Sequence, residues 1–137
     1  MYQFKYLLLS MCLLFIACSD DDDMQQEEMV ESVDITGEIL GSYTGLIRYT
    51  AGGSFFTEED RSVTVTSLSD STANMRISSI GGVYNMVVKL SSETDFTVED
   101  AELYSEGPFS GEGSLSGDML QFLVENGSTN VQYTGVR

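Results

Sequence analysis

The chain has 137 residues, of which 22 are acidic and 6 are basic, and its formal net charge is −16. This length predicts one small domain. The negative charge argues against nucleic acid and anionic lipid surfaces as partners, since both would repel the chain. The sequence has no histidine, so the commonest general base and a usual zinc ligand are missing.

The first 17 residues have the pattern of a signal peptide. Lys5 precedes a nearly unbroken apolar run over residues 6–16. The run is too short to cross a bilayer, which takes about 20 apolar residues in a helix. A small residue, Ala17, stands before Cys18, as at a processing site. We therefore expect residues 1–17 to be removed, which leaves a chain that begins with Cys18.

The segment Phe-Ile-Ala-Cys at residues 15–18 resembles the lipobox of bacterial lipoproteins, with Phe15 in place of the usual leucine. The resemblance implies that the Cys18 thiol carries diacylglycerol and that the new amino terminus is acylated, which attaches the chain to the outer membrane. Two or more acyl chains hold a protein firmly at a bilayer.

The residues after Cys18 are similar to the acidic signal that carries some Gram-negative lipoproteins to the outer face of the outer membrane. This resemblance predicts a lipid anchor exposed at the cell surface. A plain solvated tether is the alternative interpretation. The residues of this predicted export signal are Ser19, Asp20, Asp21, Asp22 and Asp23.

The cysteines and the charge pattern predict how the rest of the chain is organised. Cys12 lies in the removed segment and Cys18 would be acylated, so no disulfide is expected. Residues 18–37 are acidic and rich in amides, which predicts a lipidated cysteine followed by a flexible tether. Residues 38–137 are predicted to form the folded domain, whose stability must come from its apolar core.

From residue 38 onward, β-branched and aromatic residues alternate with polar ones between turn-forming pairs such as Gly-Gly and Asn-Gly. Such alternation predicts strands, and such pairs predict hairpin turns. A phase slip near Glu99 and Asp100 predicts a β-bulge, and Gly111 and Gly113 predict a sharply coiled strand. The predicted strands cover residues 39–50, 60–69, 72–80, 83–91, 94–105, 109–116, 119–125 and 129–136.

Eight antiparallel strands joined by short hairpins predict an all-β fold, and within it an up-and-down barrel. Closure into a barrel removes the two unpaired edges that an open sheet of eight strands would expose. A two-sheet β-sandwich is the alternative. No helical stretch lies between the strands, which argues against a parallel βαβ fold.

The tripeptide Gly41-Ser42-Tyr43 resembles the Gly-x-Trp signature of the calycins, the lipocalin-like barrels, with tyrosine in place of tryptophan. The resemblance implies that an arginine at the end of the last strand packs over this ring, and Arg137 is placed to do so. It also implies that the first connecting loop, predicted at residues 51–60, closes the open end of the barrel.

A ligand could enter such a barrel past the predicted loop. Phe55 and Phe56 are candidates to line this entrance, and Met75, Tyr84 and Met86 are candidates to line the interior. The alternative is that these side chains fill a small barrel, because eight strands leave room for packed side chains or one small ligand. Methionine is an adaptable filler of such cores.

The sequence contains no catalytic signature. Without histidine an ordinary serine triad is impossible, and nothing in the spacing singles out a pair of carboxylates for glycoside hydrolysis. The acidic clusters do not match an EF-hand loop and are interpreted as solvated surface. We therefore expect no enzyme, no metal and no cofactor.

Two functions remain open. One is a surface-anchored, non-enzymatic module that binds a small apolar or glycan ligand. The other is a subunit or inhibitor in an outer-membrane or host-facing protein complex, with a filled barrel. The second function predicts an exposed patch, for which the candidates are Leu46, Tyr49, Tyr104 and Leu123.

Overall fold

The computed structural model of the protein describes residues 37–137. The predicted signal peptide, Cys18, the export signal and nearly all of the predicted tether lie outside this range. Within residues 37–137, no helix has the length and apolarity needed to cross a membrane. The strands are β1 (Gly41–Ala51), β2 (Ser54–Ser69), β3 (Thr72–Ser79), β4 (Gly82–Leu90), β5 (Asp95–Leu103), β6 (Glu106–Ser116), β7 (Met119–Asn126) and β8 (Thr129–Val136).

The eight strands form a closed, antiparallel, up-and-down barrel in which each strand pairs with its neighbours in sequence and β1 pairs with β8. The predicted fold class is therefore confirmed, and the β-sandwich alternative is wrong. Pairing is extensive along most of the wall, but β4 and β5 share only three residue pairs, between Val88–Leu90 and Phe96–Val98. The wall between these two strands is thus held mainly at one end.

The interior of the barrel is filled with apolar side chains. Residues 37–137 bury 22 hydrophobic residues in one cluster, to which all eight strands contribute. Gly113 shows how closely they pack, because a Cβ atom there would lie 2.3 Å from Cζ of Phe96. The Phe96 ring therefore occupies the space that a side chain at position 113 would need. This is the core that the interpretation of Met75 and Met86 as fillers predicts, and both are buried.

Two bulges change which residues of β2 and β5 face inward. In the pairing of β5 with β6, the register changes between Val98 and Ala101, and Asp100 has a positive φ of 55°. This confirms the predicted bulge. A second bulge lies on β2, where Asp60 has a φ of 54° and the register with β1 shifts. An extra residue in one strand moves the residues beyond it to the opposite face.

The prediction of a long first loop over residues 51–60 is wrong. β1 and β2 instead continue as a regular hairpin, with Tyr49 opposite Phe56 and a tight turn at Gly52 and Gly53. Both glycines have a positive φ, which two-residue hairpins require. This extension of β2 is not predicted from the sequence because the bulge at Asp60 interrupts the alternation of apolar and polar residues along the strand.

Between the predicted strands 94–105 and 109–116, Gly107 and Pro108 predict a turn, but the structure places the β5–β6 turn earlier in the chain. β6 already begins at Glu106, and the turn consists of Tyr104 and Ser105, with φ values of 53° and 60°. Two-residue hairpins usually place glycine or asparagine at such positions, so the pair Tyr104-Ser105 is not recognisable as a turn from its residue types.

Candidate functional site

One end of the barrel, which we call the mouth, is formed by the turns β1–β2, β3–β4, β5–β6 and β7–β8. The side chains that face inward alternate along each strand, and the ones nearest this end of the barrel belong to the mouth. On β1 the inward series ends at Tyr49, and on β4 it ends at Tyr84. The side chains that meet at the mouth are Tyr49, Phe56, Glu58, Ser79, Tyr84 and Tyr104.

Four of these residues, Tyr49, Phe56, Tyr84 and Tyr104, form a cluster that we call the aromatic cap. The rings of Tyr49 and Phe56 stack with their centroids 4.9 Å apart, and Tyr104 lies 5.0 Å from Tyr49 and 4.9 Å from Tyr84. The edge-on contact between Phe56 and Tyr104 measures 5.9 Å. These separations are in the range of favourable aromatic pairs, so the cap closes the mouth with rings that hold one another in place.

A buried carboxylate, Glu58, lies beneath the cap. Its residue is 5% exposed. Oε1 accepts a hydrogen bond of 2.8 Å from the Ser79 hydroxyl, and Oε2 accepts one of 2.8 Å from the backbone N–H of Ile80. Arg61 lies at the edge of this group, with Nε 3.7 Å from Oε2. A buried charge requires such partners, and the contacts fix the carboxylate in one position.

The Glu58 network reaches the cap through Ser79. The Ser79 and Tyr104 hydroxyl oxygens lie 3.0 Å apart. Since the single Ser79 proton is directed to the Glu58 carboxylate, the Tyr104 hydroxyl is the group able to donate across this contact. Burial raises the pKa of Tyr104, and the nearby charge of Glu58 adds to this effect. The contact with Ser79 ties the position of the Tyr104 ring to the Glu58 network.

A shallow acidic depression adjoins the cap on the β5–β6 side. It has a volume of about 560 Å³. Glu106 connects it to the cap, because the Tyr49 hydroxyl donates a hydrogen bond of 3.0 Å to Glu106 Oε1. Burial raises the pKa of Tyr49, and this hydrogen bond raises it further. The lining residues of this acidic depression are Asp100, Glu102, Ser105, Glu106, Gly107 and Pro108.

Backbone strain is concentrated at the same end of the barrel. Four residues other than glycine have a positive φ in the described range, and Asp100, Tyr104 and Ser105 all belong to the cap or the acidic depression. Such conformations cost of order 1–3 kcal/mol each and tend to cluster at functional sites. Because such strained conformations persist only where neighbouring contacts hold them, the surrounding structure fixes the backbone of the cap and the acidic depression.

The two phenylalanines predicted to line an entrance lie on opposite faces of the β1–β2 hairpin. Phe56 points inward and belongs to the cap, although it is still 43% exposed. Phe55 points outward, is 63% exposed and lies under the guanidinium of Arg48, 4.5 Å from its ring centroid. The structure therefore brings only Phe56 to the mouth.

The other predicted ligand residues belong to different layers. Tyr84 is part of the cap, whereas Met75 and Met86 lie opposite each other on β3 and β4 within the buried core. The predicted exposed patch is also divided. Tyr49 and Tyr104 meet in the cap, but Leu46 and Leu123 are outward-facing residues of β1 and β7.

The predicted pair of Tyr43 and Arg137 lies away from the mouth, where β1 begins and β8 ends. The Arg137 guanidinium carbon is 5.2 Å from the centroid of the Tyr43 ring. Nη2 donates hydrogen bonds of 2.6 Å to the Tyr43 hydroxyl and to the Glu38 carbonyl. The Tyr43 hydroxyl in turn donates to the Ile39 carbonyl at 2.8 Å. These contacts tie the two ends of the domain together.

Glu58, Ser79 and Glu106 are not predicted from the sequence as partners of the aromatic residues. The sequence places Glu58 in the acidic cluster Glu58-Glu59-Asp60, which is interpreted as solvated surface, whereas the structure buries Glu58. A usable signal was present, because Phe56 and Glu58 are two residues apart and so share one face of a strand. In the described range, no group of three or more acidic or cysteine side chains is placed to hold a metal.

These features define a small, closed, eight-stranded up-and-down β-barrel with a filled interior and an aromatic cap at its mouth. No protein family matches the chain, and no curated protein matches it at a significant level. The fold is similar to the crystal structure of a Bacteroides fragilis protein named "putative outer membrane protein", with a TM-score of 0.55 and 16% identity over 77% of this chain. The chain spans about half, 53%, of that protein's length.

Proposed function

We propose that the protein is a lipoprotein anchored at the bacterial cell surface, whose barrel is a non-enzymatic binding module that recognises a protein partner at its mouth. The observation that carries this proposal is the aromatic cap over the Glu58 network. Aromatic residues are enriched at protein interfaces and among the residues that contribute most to binding, and here the buried network holds their rings in position.

The filled interior supports recognition on the outside of the barrel. Ligand sites for small molecules are usually concave and enclose most of the ligand. Here the core occupies the interior, and the rings of the cap lie against one another above it. A partner that contacts the exposed part of Phe56 and its neighbours can bind without displacing the core.

The anchor is supported by the sequence before residue 24. Lys5, the apolar run, Ala17 and Cys18 resemble a lipoprotein signal, and Ser19 with the aspartates to Asp23 resembles an export signal. The interior of the barrel is filled by 22 buried hydrophobic residues, whereas barrels that span the outer membrane have a polar interior and an apolar band outside. Attachment through a lipid on Cys18 reconciles this barrel with a membrane location, and the name of the Bacteroides fragilis protein is compatible with it.

A second candidate function is the binding of a small glycan, which a groove on the outer wall favours. The groove has a volume of about 610 Å³ and crosses β6, β7 and β8. The side chains of Glu112, Gln121 and Gln132 line it, with Leu123 beside them. Amide and carboxylate groups around an apolar side chain can pair with sugar hydroxyls.

Cross-linking in cells tests the proposed mouth. A photoreactive phenylalanine analogue is placed at position 56 or at position 55 of the full chain, expressed in the native bacterium. We expect a defined protein adduct from position 56 and little from position 55, because the two side chains face opposite sides of one hairpin. Equal adducts from both positions, or none from position 56, would refute recognition at the mouth.

The same cells test the anchor. In a Cys18→Ser variant we expect loss of fatty-acid labelling and release of the protein from the outer-membrane fraction. Protease added to intact cells should degrade the wild-type barrel, because the proposed location is the outer face. Protection from the protease, with intact labelling, would place the barrel on the inner face and contradict surface exposure.

A further inference from the structure

We infer that the aromatic cap and the acidic depression bind a basic, arginine-bearing segment of the protein partner. This inference rests on the proposed function and specifies the chemistry of the partner at the same site. It follows from the charge around the mouth, from the way this chain uses its own arginines and from the rigidity of the cap.

The charge at the mouth is complementary to a basic segment. Asp100, Glu102 and Glu106 line the acidic depression, and no lysine or arginine is among its lining residues. Glu106 also contacts the cap through Tyr49, so negative charge and aromatic faces form one continuous surface. The chain as a whole carries a formal charge of −16, which accelerates the approach of basic partners and repels acidic ones.

The nearby arginines of the chain do not neutralise this surface. Arg48 lies over the outward-facing Phe55 ring. Arg61 lies beside the buried Glu58, and its Nε donates to the Glu59 carbonyl at 2.9 Å. Neither residue lines the acidic depression. The Glu102 and Glu106 carboxylates are therefore available to a cation from outside.

The preference for arginine follows from its chemistry. A guanidinium stacks on aromatic faces and donates to carboxylates in a fixed fork, whereas an ammonium acts as a compact point charge. The chain itself combines arginine and aromatic rings twice, in Arg48 over Phe55 at 4.5 Å and in Arg137 over Tyr43 at 5.2 Å. At the mouth, the exposed part of Phe56 offers an aromatic face to a partner's arginine, and Glu106 offers a carboxylate.

The cap is organised before the partner arrives. Ser79 and Glu58 hold the Tyr104 hydroxyl from below, and Glu106 holds the Tyr49 hydroxyl from the side. Groups that are already ordered lose little conformational entropy on binding. A metal ion is a poorer occupant, since no three acidic side chains of the described range converge as a metal requires.

Peptide binding to the full-length lipidated protein in detergent micelles tests the inference. The probe is a fluorescein-labelled peptide of alternating glycine and arginine, measured by fluorescence anisotropy. Its controls carry citrulline, which keeps the shape without the charge, or lysine. We expect the citrulline peptide to bind at least about tenfold more weakly, the lysine peptide to be intermediate, and binding to weaken with salt.

Matched variants locate the binding surface. Phe56→Ala and Glu106→Gln should each weaken binding of the arginine peptide by about three- to tenfold. Phe55→Ala changes the outward face of the same hairpin, and Glu93→Gln changes an exposed carboxylate in the β4–β5 turn at the opposite end of the barrel. Both should leave binding within about twofold. Thermal unfolding shows whether each variant is folded, and Tyr49→Phe, which removes only the hydroxyl beside Glu106, provides a milder second change at the cap.

Three results would overturn the inference: equal binding of the citrulline peptide, equal losses in Glu106→Gln and Glu93→Gln, or equal losses in Phe56→Ala and Phe55→Ala. The first would mean that charge is irrelevant, and the others would mean diffuse attraction to an acidic protein. If position 56 cross-links a partner that the arginine peptide fails to displace, the inference is wrong but the proposed function stands. If position 56 yields no adduct, the proposed function itself fails.

Discussion

Alkaline pH should destabilise the barrel, with the largest contribution from Tyr133. Its side chain is fully buried. Burial, with a smaller contribution from the neighbouring Tyr43, raises the pKa of Tyr133 from about 10 to about 12. In the unfolded chain this phenol ionises near pH 10. Below pH 10 both states keep the proton and its contribution to stability is complete.

Between pH 10 and pH 12 the unfolded state loses the Tyr133 proton while the folded state retains it. The free energy of unfolding should therefore fall by about 1.4 kcal/mol for each pH unit, or about 2–3 kcal/mol over the whole interval. Tyr49 and Tyr104, whose pKa values are also raised, add to this loss in the wild-type protein.

Urea unfolding at pH 8, 10 and 11, followed by tyrosine fluorescence and circular dichroism, measures this effect. Tyr133→Phe should cost less than about 1 kcal/mol at pH 8, because the hydroxyl makes only a long contact of 3.4 Å to the Arg61 carbonyl. At pH 11 the variant should lose less stability than the wild type. Identical pH dependence in the two proteins would refute the assignment of this loss to Tyr133.

Two further predictions concern packing. Glu58→Ala removes the acceptor of the Ser79 hydroxyl and the Ile80 N–H. It should lower the free energy of unfolding, measured by urea titration, by about 1–3 kcal/mol, and Glu58→Gln should lower it less. Equal losses in both variants would contradict the role of the acceptor. Gly113→Ala places a Cβ against the Phe96 ring and should cost about 1–3 kcal/mol. Gly37→Ala is the matched control, because a Cβ at Gly37 meets open space, whereas Gly127 has a positive φ that disfavours alanine. If Gly113→Ala lowers the free energy of unfolding no more than Gly37→Ala does, the close packing at Gly113 is refuted.

The barrel could be predicted from the sequence because its strands obey local rules. Turn-forming pairs together with alternation predict all eight strands, and the phase slip at Glu99 and Asp100 predicts the bulge on β5. The inward-facing glycines of β6 lie where the backbone of β7 approaches closely, since a Cβ at Gly111 would lie 2.0 Å from the Leu123 carbonyl oxygen. Each of these features depends on residues close together in the chain.

The candidate site was predicted only in part. Phe56 and Tyr84 were named as ligand-lining residues, but the hairpin that carries Phe56 was predicted as a loop. The reason is the bulge at Asp60. Before it, even-numbered residues such as Glu58 face inward, and after it odd-numbered residues, beginning with Val63, face inward. A pattern with an unseen phase change could not be extended across that residue.

The sequence by itself determined the charge, the resemblance of residues 15–18 to a lipobox, the alternation and most of the turns, because each is encoded within a short segment. Only the tertiary structure decided what the mouth contains. Glu58, Ser79 and Tyr104 come from β2, β3 and the β5–β6 turn, and closure of the barrel brings them together. Such contacts depend on register and strand order, which a local pattern does not specify.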